Sequence, residues 1–431
     1  MRVLSADWVV PVDQPPIRDG AVAIEGGHIA AVGTAAELGE GERFPDSVIL
    51  PGFVNAHTHL EYATYAGFGD GLSFAPWILI HIERKQRIGL PEMEAIARLG
   101  AAECLRSGVT TVGDCSFSGA AATACEELGL RAIVYLEVFG TDAEPLTGRF
   151  AENRERVEGS LSDRVRLGIS PHAPYTCSPD LYAACLELGL PLATHLNESA
   201  DELQWLISGT GPWEPLAGDL PPPLGESGIR ALARRGLLGP SLVAAHCVHA
   251  DAEEIALLAE HDVAVAHCPR SNALLGCGIA PLGAMRDAGI RVCIATDSPA
   301  STPSFDMFDE LRAAVACARA RERRPDALST HEALELATLG GARALGLDTD
   351  TGSLTPGKKA DLTVLSLAGS PLLPWEDPVT AAVLGGSPDR VVATLVSGET
   401  RYERGGERWL ELIDAAHSAR GRLLSHVAQT S

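Results

Sequence analysis

The sequence is short of lysine, of aromatic residues and of positive charge. Of its 34 Lys and Arg residues only three are lysines, aromatic residues make up 5% of the chain, and 57 Asp and Glu residues give a formal net charge of −23. Nucleic acids and anionic membranes bind basic surfaces, so this balance argues against both as partners. The length of 431 residues is enough for one large catalytic domain and a smaller one.

Long apolar runs and several well-known motifs are also missing. No run reaches membrane-spanning length, and Met1–Asp7 does not begin a signal-peptide pattern. The ten cysteines include no C-x-x-C pair, which fits a reducing cytoplasm. There is no G-x-G-x-x-G, H-E-x-x-H, P-loop or G-x-S-x-G, so a dinucleotide fold, a zincin and a serine hydrolase have no support. We therefore expect a cytoplasmic globular protein.

Both ends of the chain have the pattern of a small β domain. Strand-like runs such as Ala21–Ile24 and Ala360–Leu365 lie between Gly and Pro turns. We predict that residues 1–50 and 350–405 together build a small β-sandwich domain, and that residues 406–431 form a C-terminal helix.

Residues 51–349 alternate strand-like runs with helical stretches such as Glu92–Ser107 and Ala252–Glu260. Repeated strand–helix units imply a parallel sheet, and eight of them predict an α/β fold of the closed (β/α)8 TIM-barrel type. A doubly wound open sheet is the alternative. Besides the strand before His57, the predicted strands are Thr110–Val112, Ala132–Leu136, Val165–Ile169, Leu192–His195, Leu242–His246, Val263–His267 and Val292–Thr296.

The segment 209–223 interrupts this alternation. It is too rich in Gly and Pro to be regular, and we expect a surface loop near the barrel mouth. A lid over the substrate is our hypothesis for its role.

Two histidines stand at the end of the first predicted barrel strand. Alternate side chains of a strand face the same side, so His57 and His59 are expected to point together. Two converging imidazoles form a chelate for a divalent transition metal. In a barrel of this kind the chemistry lies at the carboxyl ends of the strands. Other predicted strands run into further polar groups, namely His172, His195 with Glu198, His246, His267 and Asp297.

These strand-end residues are enough for a mononuclear site. Such a site needs three or four nitrogen or oxygen ligands and an open position, and His57, His59, His195 and Asp297 supply them. Glu198, three residues after a ligand, is the natural general acid–base. We expect another histidine of the set, His246, to orient water or polarise the substrate.

The motifs around these residues are similar to those of the amidohydrolase superfamily, in its branch of deaminases and chlorohydrolases. The similarity runs over nearly the whole chain. It is carried by Pro51–Leu60, Thr194–Glu198, Ala245–Cys247, Thr296–Ser298 and Gly352–Leu362.

The resemblance implies a hydrolytic deaminase with one divalent metal per chain, zinc by preference and iron, manganese or nickel as alternatives. Binuclear relatives bridge two metals with a lysine near strand 4. Here the three lysines are Lys85, Lys358 and Lys359, which favours a single metal. The implied mechanism makes Asp297 the proton acceptor from water and Glu198 the donor to a ring nitrogen, with His246 stabilising the attacking oxygen.

The resemblance narrows the substrate to a nucleoside, and the first expectation is 6-amino-6-deoxyfutalosine. The segment around His172 is similar to the purine-contacting segment of adenosine-type deaminases, and Cys268–Gly276 resembles the aminodeoxyfutalosine deaminases of menaquinone biosynthesis. Arg270 could pair with the aryl carboxylate of 6-amino-6-deoxyfutalosine, or it could link loops. Glu83 and Trp77 are weaker candidates for substrate contacts.

Several alternatives stay open at this point. Within the superfamily they are a methylthioadenosine, S-adenosylhomocysteine or adenosine deaminase, and then a guanine deaminase or chlorohydrolase. Outside it, a metal-free barrel could serve as a scaffold protein. Homo-oligomers are common in the superfamily, so a homo-oligomer is a further expectation.

Overall fold

The computed structural model describes residues 1–39, 41–406 and 408–425. Within these ranges fifteen strands form one sheet of eight strands and one of seven. In chain order the strands are β1 (Arg2–Val9), β2 (Ile17–Glu25), β3 (His28–Thr34), β4 (Glu42–Pro51), β5 (Phe53–Thr58), β6 (Val109–Ser116), β7 (Arg131–Val138), β8 (Val165–Pro171), β9 (Leu192–Leu196), β10 (Leu242–His246), β11 (Ala264–His267), β12 (Val292–Ile294), β13 (Leu362–Ser366), β14 (Val391–Val396) and β15 (Glu399–Glu403).

Helices fill most of the connections between barrel strands. None of those in the described ranges is long and apolar enough to cross a membrane. They are α1 (Ala35–Leu38), α2 (Phe74–Lys85), α3 (Leu90–Arg106), α4 (Ala120–Leu128), α5 (Glu144–Thr147), α6 (Arg149–Val157), α7 (Pro179–Glu187), α8 (Ala200–Ser208), α9 (Gly228–Arg234), α10 (Ala252–Glu260), α11 (Pro269–Leu274), α12 (Leu282–Asp287), α13 (Met307–Glu322), α14 (Thr330–Glu335), α15 (Gly341–Ala344), α16 (Pro378–Gly385) and α17 (Arg408–Leu424).

The eight strands β5 to β12 are neighbours in chain order and pair in parallel. The predicted (β/α)8 barrel is therefore confirmed. Every residue of β6 and β7 is buried, as expected for parallel strands covered by helices on one side and packed side chains on the other. Several helices begin at a residue whose side chain caps them. At α10, for example, Asp251 accepts from the Glu254 N–H while Glu254 accepts in return.

The barrel closes where β12 meets β5. The side-chain amide of Asn55 donates to the hydroxyl of Thr296, and its carbonyl oxygen accepts from the Thr296 N–H, at 2.8 and 2.9 Å. One residue further on, the Asp297 N–H donates to the carbonyl of His57 at 3.0 Å. These bonds hold the end of the last strand against the strand that carries the two histidines.

The second sheet has the order β15-β14-β13-β4-β1-β2-β3 and draws its strands from both ends of the chain. Its centre is the antiparallel pairing of β13 with β4, in which Leu362 lies opposite Pro51. Leu4, Ile49 and Val364 belong to its buried core. The predicted C-terminal helix corresponds to α17 over the described residues, whereas 407 and 426–431 lie outside them.

A buried ion pair joins the two sheets. Arg131, at the start of β7, contacts Asp361 of the β domain through Nε at 2.9 Å, and both side chains are almost fully buried. The Asp361 carboxylate also accepts from the Thr351 hydroxyl and the Ser397 N–H. With a further bond from Arg131 Nη2 at 3.2 Å, each carboxylate oxygen has two donors, which is the condition for tolerating a buried charge.

We expect Arg131→Met to lower the free energy of unfolding by about 3–5 kcal/mol, because it leaves the buried Asp361 carboxylate without its cation. Urea unfolding followed by circular dichroism measures this. The control is Asp350→Asn, which breaks the half-exposed pair with Arg166 and should cost less than about 1 kcal/mol. Equal losses in the two variants would contradict the interpretation.

Candidate metal centre

Five of the polar residues at the strand ends converge at one mouth of the barrel. His57 is the fifth residue of β5, His59 follows that strand, and His195 lies near the end of β9. His246 ends β10, and Asp297 comes shortly after β12. All five side chains are buried. The barrel thus brings together groups separated by up to 240 residues in the sequence.

The converging atoms are lone-pair donors aimed at one another. His59 Nε2 and His195 Nε2 lie 3.2 Å apart, and Asp297 Oδ1 lies 3.6 Å from His57 Nε2 and 3.5 Å from His59 Nε2. The buried His57 Nε2 has no hydrogen-bond partner in the structure. Three imidazole nitrogens and one carboxylate oxygen around a common point are the donor set of a divalent transition metal such as zinc.

Two of these ligands, His195 and Asp297, are oriented by partners on the side away from the centre. His195 Nδ1 donates to the carbonyl of His172 at 2.8 Å, which turns Nε2 toward the centre. The second carboxylate oxygen of Asp297 accepts from the hydroxyls of Ser271 and Ser301, at 2.7 and 2.9 Å. Such supporting bonds fix the tautomer and the direction of metal ligands.

The segment that carries His59 is held by a buried carboxylate that the sequence analysis did not identify. Asp114 of β6 accepts from the Thr58 hydroxyl at 2.8 Å and from the Leu60 N–H at 2.7 Å. The two residues that flank His59 are therefore anchored. Burial raises the pKa of Asp114 well above its usual value, with these hydrogen bonds opposing the shift.

Burial also keeps the histidines neutral. It lowers the pKa of His57, His59 and His195 below the usual value, and the neighbouring imidazoles add to the effect at His57 and His59. A neutral imidazole has a free lone pair, which a metal ligand requires. The environment therefore favours metal binding by these rings over protonation.

Three residues at the site have left-handed backbone conformations. The φ angles are +48° at Asn197, +74° at His246 and +62° at Asp297. Non-glycine residues adopt this region at a cost of about 1 kcal/mol or more, and such strain concentrates at functional sites. Here it lets the chain turn sharply at the strand end.

His246 lies beside the ligand cluster and faces Glu198. Its Nδ1 accepts from the side-chain amide of Asn272 at 3.0 Å, so that Nε2 carries the proton. That Nε2 lies 3.6 Å from Glu198 Oε2 and has no hydrogen-bond partner of its own. Asn272 thus presents His246 as a donor toward the centre.

Glu198 is a buried carboxyl with a raised pKa. Burial raises its pKa well above the usual value, and the charges of Asp297 and Glu202 add to the shift. The loop that carries it is fixed because the Glu202 carboxylate accepts from the N–H groups of Asn197 and Glu198. A carboxyl held in this way can carry a proton near neutral pH, as a general acid requires.

A cavity of about 720 Å³ opens above the ligand cluster. Of the predicted substrate contacts, His172 and Trp77 line it, together with His59, His195, Glu198 and Asp297. The segment 209–223 also contributes to its wall through Trp213, whose ring packs 4.9 Å from that of Tyr175. The hypothesis that this segment acts as a lid stays a prediction.

The other two predicted substrate contacts do not line the cavity. The Glu83 side chain is 64% exposed and pairs with Arg87 at 2.5 Å, one helical turn away. Arg270 is buried, with Nε bonded to Glu310 and a terminal nitrogen bonded to the Ser304 carbonyl at 2.8 Å. Two interpretations of Arg270 were left open, a substrate contact and a structural link. The observed contacts are those of a structural link, which joins α11 to α13 and to Ser304.

Three charged residues of the cavity wall were not identified in the sequence. Lys85 ends α2, Glu137 lies near the end of β7 and Arg149 begins α6, and all three line the cavity. Glu137 directly follows the predicted strand Ala132–Leu136, so the strand-end rule could have found it. Burial lowers the pKa of Lys85 to about 8 and raises that of Glu137 to about 7, and each charge opposes the shift of the other.

Comparison with known families and sequences gives a consistent result. A model of the amidohydrolase family matches residues 48–401. A 5'-deoxyadenosine deaminase from Methanothermobacter thermautotrophicus is 32% identical over 96% of each chain. A 5-methylthioadenosine/S-adenosylhomocysteine deaminase from Moorella thermoacetica is 34% identical over 94% of each chain.

Solved structures agree on the architecture. An adenosine deaminase from Xanthomonas campestris with bound zinc superposes with a TM-score of 0.87 at 28% identity, over 98% of both chains. An atrazine chlorohydrolase from Arthrobacter aurescens in complex with zinc gives 0.83 at 22% identity, over 97% of this chain and 100% of the other. The second likeness is one of fold alone.

We expect His59→Ala to weaken zinc binding by roughly 100-fold or more, because loss of a residue that only supports a ligand already costs about 10- to 100-fold. Competition with a chromophoric chelator measures the affinity. The matched control is His261→Ala, at a half-buried ring bonded to the Leu257 carbonyl, which should bind zinc as the unmodified protein does. Unchanged affinity in His59→Ala would show that the ligand assignment is wrong.

Proposed function

The chain belongs to the amidohydrolase family, and we propose that it is a metal-dependent hydrolytic deaminase of adenine nucleosides. The observation that carries this proposal is the position of Glu198 and His246. One carboxyl with a raised pKa and one imidazole N–H face the same metal centre from β9 and β10, 3.6 Å apart. Deamination needs both a proton donor and an oxyanion donor beside the attacking water.

The donor set fits a zinc ion, held by His57, His59, His195 and Asp297. When bound, such an ion supplies a Lewis acid that activates water at neutral pH. In the proposed reaction Asp297 accepts the proton of the attacking water, with its other oxygen held by Ser271 and Ser301.

Glu198 and His246 act on the substrate. Glu198 donates a proton to the ring nitrogen next to the amino-bearing carbon, which makes that carbon electrophilic. His246 donates its Nε2 proton in a hydrogen bond to the oxygen that attacks. The amino group then takes up the proton that Asp297 accepted and leaves as ammonia, while the remaining proton of the attacking water returns to Glu198 and the ring becomes that of an inosine-type product.

Glu198→Gln should lower kcat by about 10²- to 10⁴-fold, because the amide cannot give up a proton to the ring nitrogen. Zinc content should stay at the level of the unmodified protein, since Glu198 is not one of the converging ligands. Ammonia release measured by a coupled assay tests the first point and elemental analysis tests the second. Glu187→Gln, on the exposed side of α7, is the control that should change neither, and a fully active Glu198→Gln would contradict the mechanism.

The preferred substrate in this proposal is an adenine nucleoside in which hydrogen or a thioether replaces the 5′ hydroxyl. Two observations support it. The relatives compared above are named deaminases of 5'-deoxyadenosine and of methylthioadenosine and S-adenosylhomocysteine. The cavity, about 720 Å³ in volume, also has apolar residues in its wall such as Ile78, Leu79 and Ile82, next to which a thioether or other apolar group can lie.

A second candidate substrate is 6-amino-6-deoxyfutalosine, an intermediate of menaquinone biosynthesis. The likeness of Cys268–Gly276 to the deaminases of that compound supports it. Because Arg270 is bonded to Glu310, the aryl carboxylate of this substrate needs another cation. Arg149 lines the cavity and stacks on the Phe117 ring, with its carbon Cζ 3.3 Å from the ring centre.

An assay panel decides between these substrates. We expect ammonia release from adenosine, 5'-deoxyadenosine, methylthioadenosine, S-adenosylhomocysteine and 6-amino-6-deoxyfutalosine. The value of kcat/KM should be at least about tenfold higher for one 5′-modified nucleoside than for adenosine, because a group that fits its pocket contributes about 1–3 kcal/mol. Guanine and a chlorotriazine complete the panel. Turnover of either of these with none of the nucleosides would overturn the proposal.

A further inference from the structure

Two opposite charges face the cavity without forming an ion pair. Lys85 extends from the last position of α2 and Glu137 from β7, and each charge affects the other. Among the described residues, however, the Lys85 ammonium has no carboxylate within 4.0 Å and no hydrogen-bond acceptor. Its contacts are with the faces of two aromatic rings. It lies 4.6 Å from the centre of the Tyr62 ring and 3.9 Å from that of Phe117.

Glu137 is equally unsatisfied within the part of the chain that the structure describes. Its side chain is only 4% exposed, yet no side chain or backbone N–H donates to its carboxylate. A carboxylate that opens onto the cavity without a protein donor is free to accept from a group placed in the cavity. Both charged groups line the cavity, so a ligand there can contact both.

The nearby charges have other contacts. One terminal nitrogen of Arg149 donates to the Phe117 carbonyl at 2.6 Å, and its guanidinium stacks on the ring that also supports Lys85. The Glu61 carboxylate accepts from the hydroxyls of Ser116 and Ser118. Lys85 and Glu137 are therefore the two charged groups of this cluster for which the described residues provide no hydrogen bond or ion pair.

Their position relative to the metal centre indicates which part of a ligand they meet. Glu198 lies next to His246, on the side of β9 and β10. Glu137 lies on β7, two strands from β9 in the barrel, with a carboxylate oxygen within 4.8 Å of a ring nitrogen of His172 and of His195. A purine whose reacting edge faces Glu198 can place its sugar-bearing side toward Glu137 and α2.

We propose that Lys85 and Glu137 bind the vicinal hydroxyls of the ribose, with Glu137 accepting from a hydroxyl and Lys85 donating to one. This inference rests on the proposed nucleoside deaminase function. A hydroxyl group is both donor and acceptor, so a diol placed between a carboxylate and an ammonium completes both at once. A ligand group with a single positive or negative charge would pair with only one of these two side chains. The pair selects ribonucleosides over their deoxy forms.

The test combines changes in the protein with changes in the substrate. Adenosine, 2′-deoxyadenosine and 3′-deoxyadenosine are assayed with the zinc-loaded full-length protein and with Glu137→Gln and Lys85→Met. We expect the unmodified protein to prefer adenosine by roughly 10- to 100-fold in kcat/KM over at least one deoxy form, the effect of a hydrogen bond to a charged group. In Glu137→Gln most of this preference should be lost, through KM rather than kcat.

Independent measurements complete the design. Binding of inosine, followed by calorimetry, should weaken in both variants by a similar factor, whereas zinc content and the melting temperature should not change. Glu155→Gln, an exposed carboxylate on α6, is the matched control and should keep the full preference. Lys85→Met tests the same site from a different element, so that a folding defect in one variant does not remove the test.

The outcomes separate the two proposals. If the unmodified protein releases ammonia from no adenine nucleoside, the proposed function fails. If it deaminates adenosine but Glu137→Gln and Lys85→Met keep its preference for the ribose hydroxyls, only the present inference is overturned. It is also overturned if Lys85→Met affects only nucleosides that carry a carboxylate on the 5′ substituent.

Discussion

Asn55 and Thr296 join the first and last strands of the barrel through two hydrogen bonds, and the Asp297 N–H donates to the His57 carbonyl beside them. The metal centre depends on these contacts. His57 and Asp297 are 240 residues apart in the chain, so no local structure can bring an imidazole and a carboxylate to the same ion. Closure of the barrel does so, and it also holds Asp297 in a left-handed conformation that an open strand end would relax.

Three groups around the centre follow one rule. Each has a protein partner on the side facing away from the ion, and this leaves one atom for chemistry. Two serines hold one oxygen of Asp297, the His172 carbonyl holds His195, and Asn272 holds His246. Preorganised polar groups of this kind need little rearrangement when charge develops in a reaction. The site therefore consists of the motif residues together with the partner residues that orient them.

The sequence predicted the barrel and the converging histidines because both follow from short-range rules. Period-two and apolar runs mark strands, and parallel strands place their ends at one face. The hydrogen-bond partner of a side chain can be far away in the sequence, so it could not be predicted by the same rules. Arg270 is bonded to Glu310 on a different helix, and Glu83 faces solvent because of its place on α2. Glu137 could have been found, since it ends a predicted strand, but a lysine on a helix such as Lys85 carried no signal.

The order of the strands in the small sheet has a consequence for synthesis of the protein on the ribosome. β4 leads directly into β5 and the metal ligands, but one of its two edges pairs with β13, which is made about 300 residues later. Until then that edge exposes unpaired backbone groups, which invite pairing with other chains. The nascent chain therefore carries an open β edge next to its first metal ligands through most of translation, until β13 pairs with it.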